Sequence, residues 1–289
     1  MFATLLGDLP RPPLSATATP DEILETVIRA QEHAGLEPIT DGGFGIGETP
    51  VERWTRTAAL TGRLVKQALV GPYSAAHGAP DETLAAADAL RSEVVALVAA
   101  GCPMIEIHEP EATGIGTDEP GRRLFREAHR RLLDGVDGTH LSLAITGGNA
   151  DAAGVDTLLT VSYASLALDL IAGPDNWRLV AGTPRDRGIV CGALSADRDA
   201  DDRIEILLWA AAYAASTGGR GRRRVGLATA SSLAALPWEV AVRKLNLLGE
   251  AARVADLPPD ERARAVDPRS LDSRSAASGR YVPRRGRTG

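Results

Sequence analysis

The sequence predicts an α/β fold in one domain, a closed (β/α)8 barrel of the TIM type. Three observations lead there. The chain has 289 residues, 44% of them hydrophobic, enough to bury one large core and within the size range of a one-domain barrel. Short apolar runs alternate with longer helical ones along most of its length. Most of the strand-like runs begin about 30 to 37 residues apart, the length of one β-loop-α-loop unit.

Eight strands are expected, at residues 3–7, 37–40, 67–71, 104–108, 140–145, 157–162, 188–193 and 224–228. Only the step from the fifth to the sixth is short and leaves little room for a helix. Eight such units point to a closed barrel rather than an open doubly wound sheet. The helices carry their own start and stop signals. Thr19 is a cap, Pro20 takes the first helical position, Asp21 and Glu22 sit in the first turn, and Gly35 ends the helix. Pro80-Asp81-Glu82 opens another, whose stripe of Leu90, Val94, Leu97 and Val98 stops at Gly101. Residues 201–215 and 238–254 read the same way. The barrel is expected over residues 1–255. Beyond it, residues 256–289 are rich in Arg and Ser, hold too little apolar content to pack, and are expected to be a disordered tail.

Composition narrows the function. A net charge of −6 argues against a general nucleic-acid binder. The Arg220–Arg224 region, and Arg280, Arg284, Arg285 and Arg287 in the tail, read as solvated charge. No apolar run is long enough to span a membrane, and the first residues lack the basic region of a signal peptide, so a cytoplasmic protein is expected. Cys102 and Cys191 lie in apolar surroundings and read as reduced, packed thiols.

In such barrels, chemistry sits at the C-terminal ends of the strands. That rule selects Gly7 and Asp8 after the first strand, Asp41 after the second, and the run Glu106-Ile107-His108-Glu109-Pro110 at the fourth. Side chains alternate along a strand, so Glu106 and His108 share a face; with Ile105 and Ile107 toward the helices, both point into the barrel. His140 and Ser142 share a face on the fifth strand, where His140 and His108 could approach each other. His33, His77 and His129 read as surface residues. The glycine-rich run at 42–47 does not fit a dinucleotide fingerprint and reads as a mobile active-site loop.

Four strand ends together resemble those of the cobalamin-independent methionine synthases, within the superfamily that includes uroporphyrinogen decarboxylase. They are Ala3-Thr4-Leu5-Leu6-Gly7-Asp8-Leu9-Pro10, Glu37-Pro38-Ile39-Thr40-Asp41-Gly42, Leu69-Val70-Gly71-Pro72 and Ile105-Glu106-Ile107-His108-Glu109-Pro110. The resemblance implies a zinc ion that activates the homocysteine thiol for attack on the methyl group of a folate donor. The family's zinc ligands fall here on His140, Ser142, Val161 and Ser231, so His140 alone keeps a ligand residue type. The resemblance implies zinc, but its ligand positions are mostly replaced here; it also implies a folate-type methyl donor. On the substrate side the resemblance places Asp8 where the family has a Ser near the amino-acid carboxylate, Gly43 in place of an acid, and His108 in place of an Asp. The expected enzyme is methyltransferase-like and works on a small molecule. His108, Glu109 and His140 are its expected catalytic groups, with Gly7, Asp8, Asp41, Glu106, Ser142 and Ser231 around the substrate. One alternative is a rebuilt metal site of His108, His140 and Glu106. Another is an inactive barrel that binds a metabolite or a protein. The family's second barrel would have to come from a separate partner protein; a homo-oligomer is the alternative assembly.

Overall fold

In the computed structural model, residues 1–265 are described. Seven strands form one parallel sheet in the order β1-β7-β6-β5-β4-β3-β2. They are β1 (Phe2–Thr4), β2 (Lys66–Val70), β3 (Met104–His108), β4 (His140–Ile145), β5 (Ser165–Asp169), β6 (Gly188–Leu194) and β7 (Val225–Thr229). The helices are α1 (Pro20–Ala34), α2 (Pro50–Ala59), α3 (Pro72–Ala75), α4 (Pro80–Ala99), α5 (Glu119–Leu133), α6 (Val155–Leu159), α7 (Trp177–Gly182), α8 (Ile204–Ser216), α9 (Trp238–Asp256) and α10 (Pro259–Ala265).

The second expected strand, 37–40, is reduced to an extended link between the two ends of the sheet. Glu37 N donates to Ala3 O at 2.9 Å, Ile39 N to Leu64 O at 2.8 Å, and Lys66 N to Ile39 O at 2.9 Å. Only Ile39 and Val65 form a ladder bridge, because Pro38 has no N–H to extend one. The sheet thus curls until 37–40 lies between β1 and β2, and seven strands replace the eight expected. The sixth expected strand, 157–162, is also displaced. That segment holds α6 and the turn after it, and the strand itself is β5, buried along its whole length. A short apolar run does not declare its own period, so helix and strand look alike there. The expected strands at 104–108 and 140–145 coincide with β3 and β4.

Local chemistry explains the helix starts. The Thr19 side chain accepts from Glu22 N at 3.3 Å while Glu22 accepts from Thr19 N at 2.7 Å, a reciprocal cap on α1. Thr49 and Glu52 repeat it on α2. Two apolar layers hold the molecule together. Between sheet and helices lie Ile105, Ile107, Leu143 and Leu166 against residues such as Val94, Phe125 and Leu248. Inside the curl, small residues dominate: Ala144, Ala167 and Ala228 pack with Leu6 and Val190, and Phe2 closes the N-terminal end. Phe2 crosses Gly226 so closely that a Cβ there would lie 2.4 Å from its ring.

Cys102 and Cys191 are both buried and free. Burial pushes their thiols up to about 11 and about 12 respectively, so neither supplies a thiolate. Among the described residues no helix is long and apolar enough to cross a membrane. The expected tail begins inside the described part, where α10 forms. Residues 266–289, with Arg280, Arg284, Arg285 and Arg287, lie outside the described residues.

Candidate functional site

Ile105 and Ile107 pack into the outer layer, which turns Glu106 and His108 inward. Glu106 is fully buried. Its Oε1 accepts from Lys66 Nζ at 2.7 Å and from His108 Nε2 at 2.8 Å. Burial alone would raise the carboxyl, but the Lys66 ammonium and the His108 contact prevail and hold it at about 2. Burial lowers the Lys66 pKa, opposed by Glu106. An ionised Glu106 only accepts, so His108 presents Nε2–H to it and leaves Nδ1 as the basic nitrogen. The His108 side chain retains 17% of its exposure, against none for Glu106 and Lys66, so it is the member of the trio that meets solvent. Glu106 Oε2 is buried without a hydrogen-bond partner among the described residues. Lys66 was not among the expected residues, although it is one of only two lysines in the sequence and stands in the apolar run Leu64 to Val70. That placement was the available signal.

Glu109 is placed differently. It is buried, accepts from Tyr73 N at 3.0 Å and Ser74 N at 2.7 Å at the start of α3, and so anchors the turn after β2. A Cβ at Gly71 would lie 2.3 Å from its carboxyl, so the turn requires glycine. His129, expected on the surface, is instead fully buried. Its Nδ1 shares a hydrogen bond with the Tyr163 hydroxyl at 2.7 Å, and its Nε2 lies 3.0 Å from Glu109 without hydrogen-bond alignment. It shares the inward face of α5 with Gly121, Phe125 and Leu132, a helical spacing that marks it as a core residue.

His140 and His108 do not approach. In register, His140 faces Met104 while His108 faces Ala144, four residues or about 13 Å along the strands. His140 therefore lies at the N-terminal end of the barrel, opposite the mouth. Its Nε2 is 2.8 Å from Ser165 Oγ, and Ser165 donates to Ser142 Oγ at 2.9 Å. The alternative site of His108, His140 and Glu106 fails on this separation.

At the C-terminal ends, Gly7 takes φ +79°, and a Cβ there would lie 2.7 Å from Ser232 Cα. Asp8 is held there by Leu233 N donating to its carbonyl at 2.8 Å and by its own N donating to Ser232 Oγ at 3.2 Å. Ser231 precedes that contact. Asp41 Oδ1 accepts from Gly43 N at 3.0 Å, and a Cβ at Gly43 would lie 2.7 Å from the Asp8 carboxyl carbon. Burial raises the Asp41 pKa and the Asp8 charge adds to the rise, so two neighbouring carboxylates line this rim. Asp169, not singled out from sequence, accepts from Gly147, Ile171 and Ala172 amides at 2.8 to 3.0 Å and braces the loops after β4 and β5.

The four positions carried over from the zinc-dependent family do not meet. His140 is at the N-terminal end, Ser142 is buried opposite Glu106, Val161 lies beside α5 with Arg126 and Arg130, and Ser231 follows β7. These four residues, spread over such places, do not form one donor set. Among the described residues no group of three or more His, Cys, Asp or Glu side chains is placed to hold a metal.

No protein-family model matches the chain, and no curated protein does. Solved structures do. A B12-independent methionine synthase from Shewanella sp. W3-18-1, in complex with selenomethionine, superposes with a TM-score of 0.72 at 16% identity, covering 87% of this chain and 96% of that one. A putative vitamin-B12 independent methionine synthase from Listeria monocytogenes gives 0.70 at 14% identity over 88% and 97%. A methyltransferase from Methanosarcina mazei gives 0.63 at 13% over 87% and 94%. At these identities the likeness is one of fold, and the chain has the fold of the B12-independent methionine synthases over nearly all of its described length.

Proposed function

We propose that the chain is a group-transferring enzyme of the methyltransferase kind, working at the C-terminal mouth with His108 as its proton-handling residue. One observation carries this reading: a fully buried Lys66–Glu106 ion pair extends through His108 toward solvent, inside a curl whose apolar part is Leu6, Ala144, Ala167, Val190 and Ala228. Burying an ion pair contributes little to stability beyond what well-packed apolar residues would give, whereas an oriented imidazole with a free Nδ1 has a use in chemistry.

As an acceptor hydroxyl, thiol or amine attacks the transferred carbon, its proton passes to His108 Nδ1, and the bond from that carbon to the donor breaks with its electron pair left on the donor. Glu106 stabilises the imidazolium that forms, and Lys66 keeps Glu106 ionised while the ring is neutral. The steps are written with this chain's own residues alone, since the four residues assigned from the resemblance do not converge. Asp8 and Asp41 disfavour an acceptor that presents a carboxylate to this rim. The acceptor accordingly presents a neutral or cationic group to this rim.

The test is methyl transfer from a methylated tetrahydropteroyl donor to a panel of thiol, alcohol and amine acceptors. His108→Asn is expected to lower the rate about 100-fold or more, and Glu106→Gln to lower it less. His140→Asn, at the far end of the barrel, is expected to leave it within about twofold. A His108 variant with wild-type rate would sink the proposal and leave a barrel that binds its ligand without chemistry.

A further inference from the structure

The N-terminal end of the barrel holds a cavity of about 320 Å³, whose lining includes Phe2, His140, Ser165, Asp186, Arg223 and Arg224. Nothing in the proposed reaction uses it. The three-arginine turn before β7 looks like solvated charge in the sequence, yet its members are placed differently. Arg222 is spent on the Ala255 carbonyl at 3.2 Å. Arg224 is steadied by one Nη1 bond to the Arg185 carbonyl at 2.9 Å, which leaves its other donors unspent. Arg223 has no protein partner among the described residues. Neither Arg223 nor Arg224 is ion-paired with Asp186. Two guanidinia therefore share one cavity with a single carboxylate.

His140 adds direction. Ser165 spends its hydroxyl proton on Ser142, so it accepts from His140, which fixes the ring as the Nε2–H tautomer. Its Nδ1 has no protein partner among the described residues. Burial lowers the His140 pKa, with Glu106 opposing from deeper in the barrel, which favours the neutral ring and Nδ1 as an acceptor. The cavity thus offers guanidinium donors for anionic oxygens and, on His140 and Asp186, acceptors for a proton carried by the same ligand.

We propose that this cavity binds a phosphoryl group with one protonated oxygen. The guanidinium forks match its anionic oxygens, and His140 Nδ1 accepts its P–OH. Sulfate offers the same oxygens but no proton at neutral pH, and it would leave His140 facing a lone pair.

The experiment is calorimetric titration of the full chain at pH 7 with inorganic phosphate, sulfate and glycerol 3-phosphate, ionic strength being held constant with chloride. Phosphate is expected to saturate one site, with sulfate at least fivefold weaker. Arg223→Gln/Arg224→Gln should weaken phosphate at least tenfold while the melting temperature in chloride is unchanged. His140→Leu should abolish the preference for phosphate over sulfate. With each affinity taken per species that carries a P–OH, the monoester's second pKa lying at about 6, tighter binding of glycerol 3-phosphate would assign the site to a phosphorylated metabolite, and tighter binding of phosphate to the free ion. The inference is overturned by any of three results: no saturation, equal affinity for sulfate, or undiminished binding in the double arginine variant.

Discussion

A single side chain, Lys66, decides whether the interior of this barrel is tolerable. Its ammonium is fully buried 2.7 Å from Glu106, and removing one member of such a pair strands the other charge. Lys66→Met is expected to cost about 3 to 5 kcal/mol, read from denaturant midpoints, whereas Lys66→Met combined with Glu106→Leu should recover most of it. A single variant as stable as wild type would mean the pair is not buried. The same pair sets an acid dependence. The Glu106 carboxyl is held at about 2 against an ordinary 4.5, so its contribution is present in full above 4.5 and is lost as the pH falls toward 2. Stability measured across that window should fall more steeply in wild type than in the double variant. An identical slope in both would contradict the assignment.

At the scale of elements, close approach matters more than propensity. Gly249 lets α9 lie against the end of α1, where an added Cβ would come within 1.7 Å of the Ala34 carbonyl oxygen. In an isolated helix, Gly to Ala is stabilising. Here Gly249→Ala forces two backbones apart and should cost about 1 to 3 kcal/mol, visible as a lower thermal midpoint. A rise in the midpoint would show that the two helices do not meet. Elements with strong local signals were legible in advance: the Thr19-Pro20 start and Gly35 stop of α1, and the alternation of Ile105 and Ile107 with Glu106 and His108 in β3. Residues 157–162 were not, because a run of about six apolar and β-branched residues fits one helical turn as well as a strand. His129 looks like a surface residue on its own and like a core residue only beside Gly121, Phe125 and Leu132, the stripe it belongs to on α5.

At the scale of the molecule, the sheet curls until its two ends are linked through 37–40, and this shape fixes which residues share a site. It separates the positions that the family resemblance would group around zinc. Restoring all the family's residue types at once, with Ser142→Cys, Val161→Glu and Ser231→Cys beside His140, should therefore not produce stoichiometric zinc in the purified protein, as measured by elemental mass spectrometry. Near-equimolar zinc that is lost on His140→Asn would show that these positions do converge.

The class of fold, the order of most strands and helices, and the inward face of β3 are legible in the sequence, because these depend on periodicity and on local caps and stops. It also carried the likeness of strand ends to the methionine synthase barrels, a likeness the fold comparison bears out. The relations between elements came from the packing of the whole molecule. Register brings Lys66 to Glu106, the packing of α5 buries His129 against Tyr163, and the turn before β7 gathers Arg223 and Arg224 with His140 around one cavity. Such relations depend on how far each strand slides against its neighbour. That slide is set by the packing of the whole sheet against its helices, and local sequence does not record it.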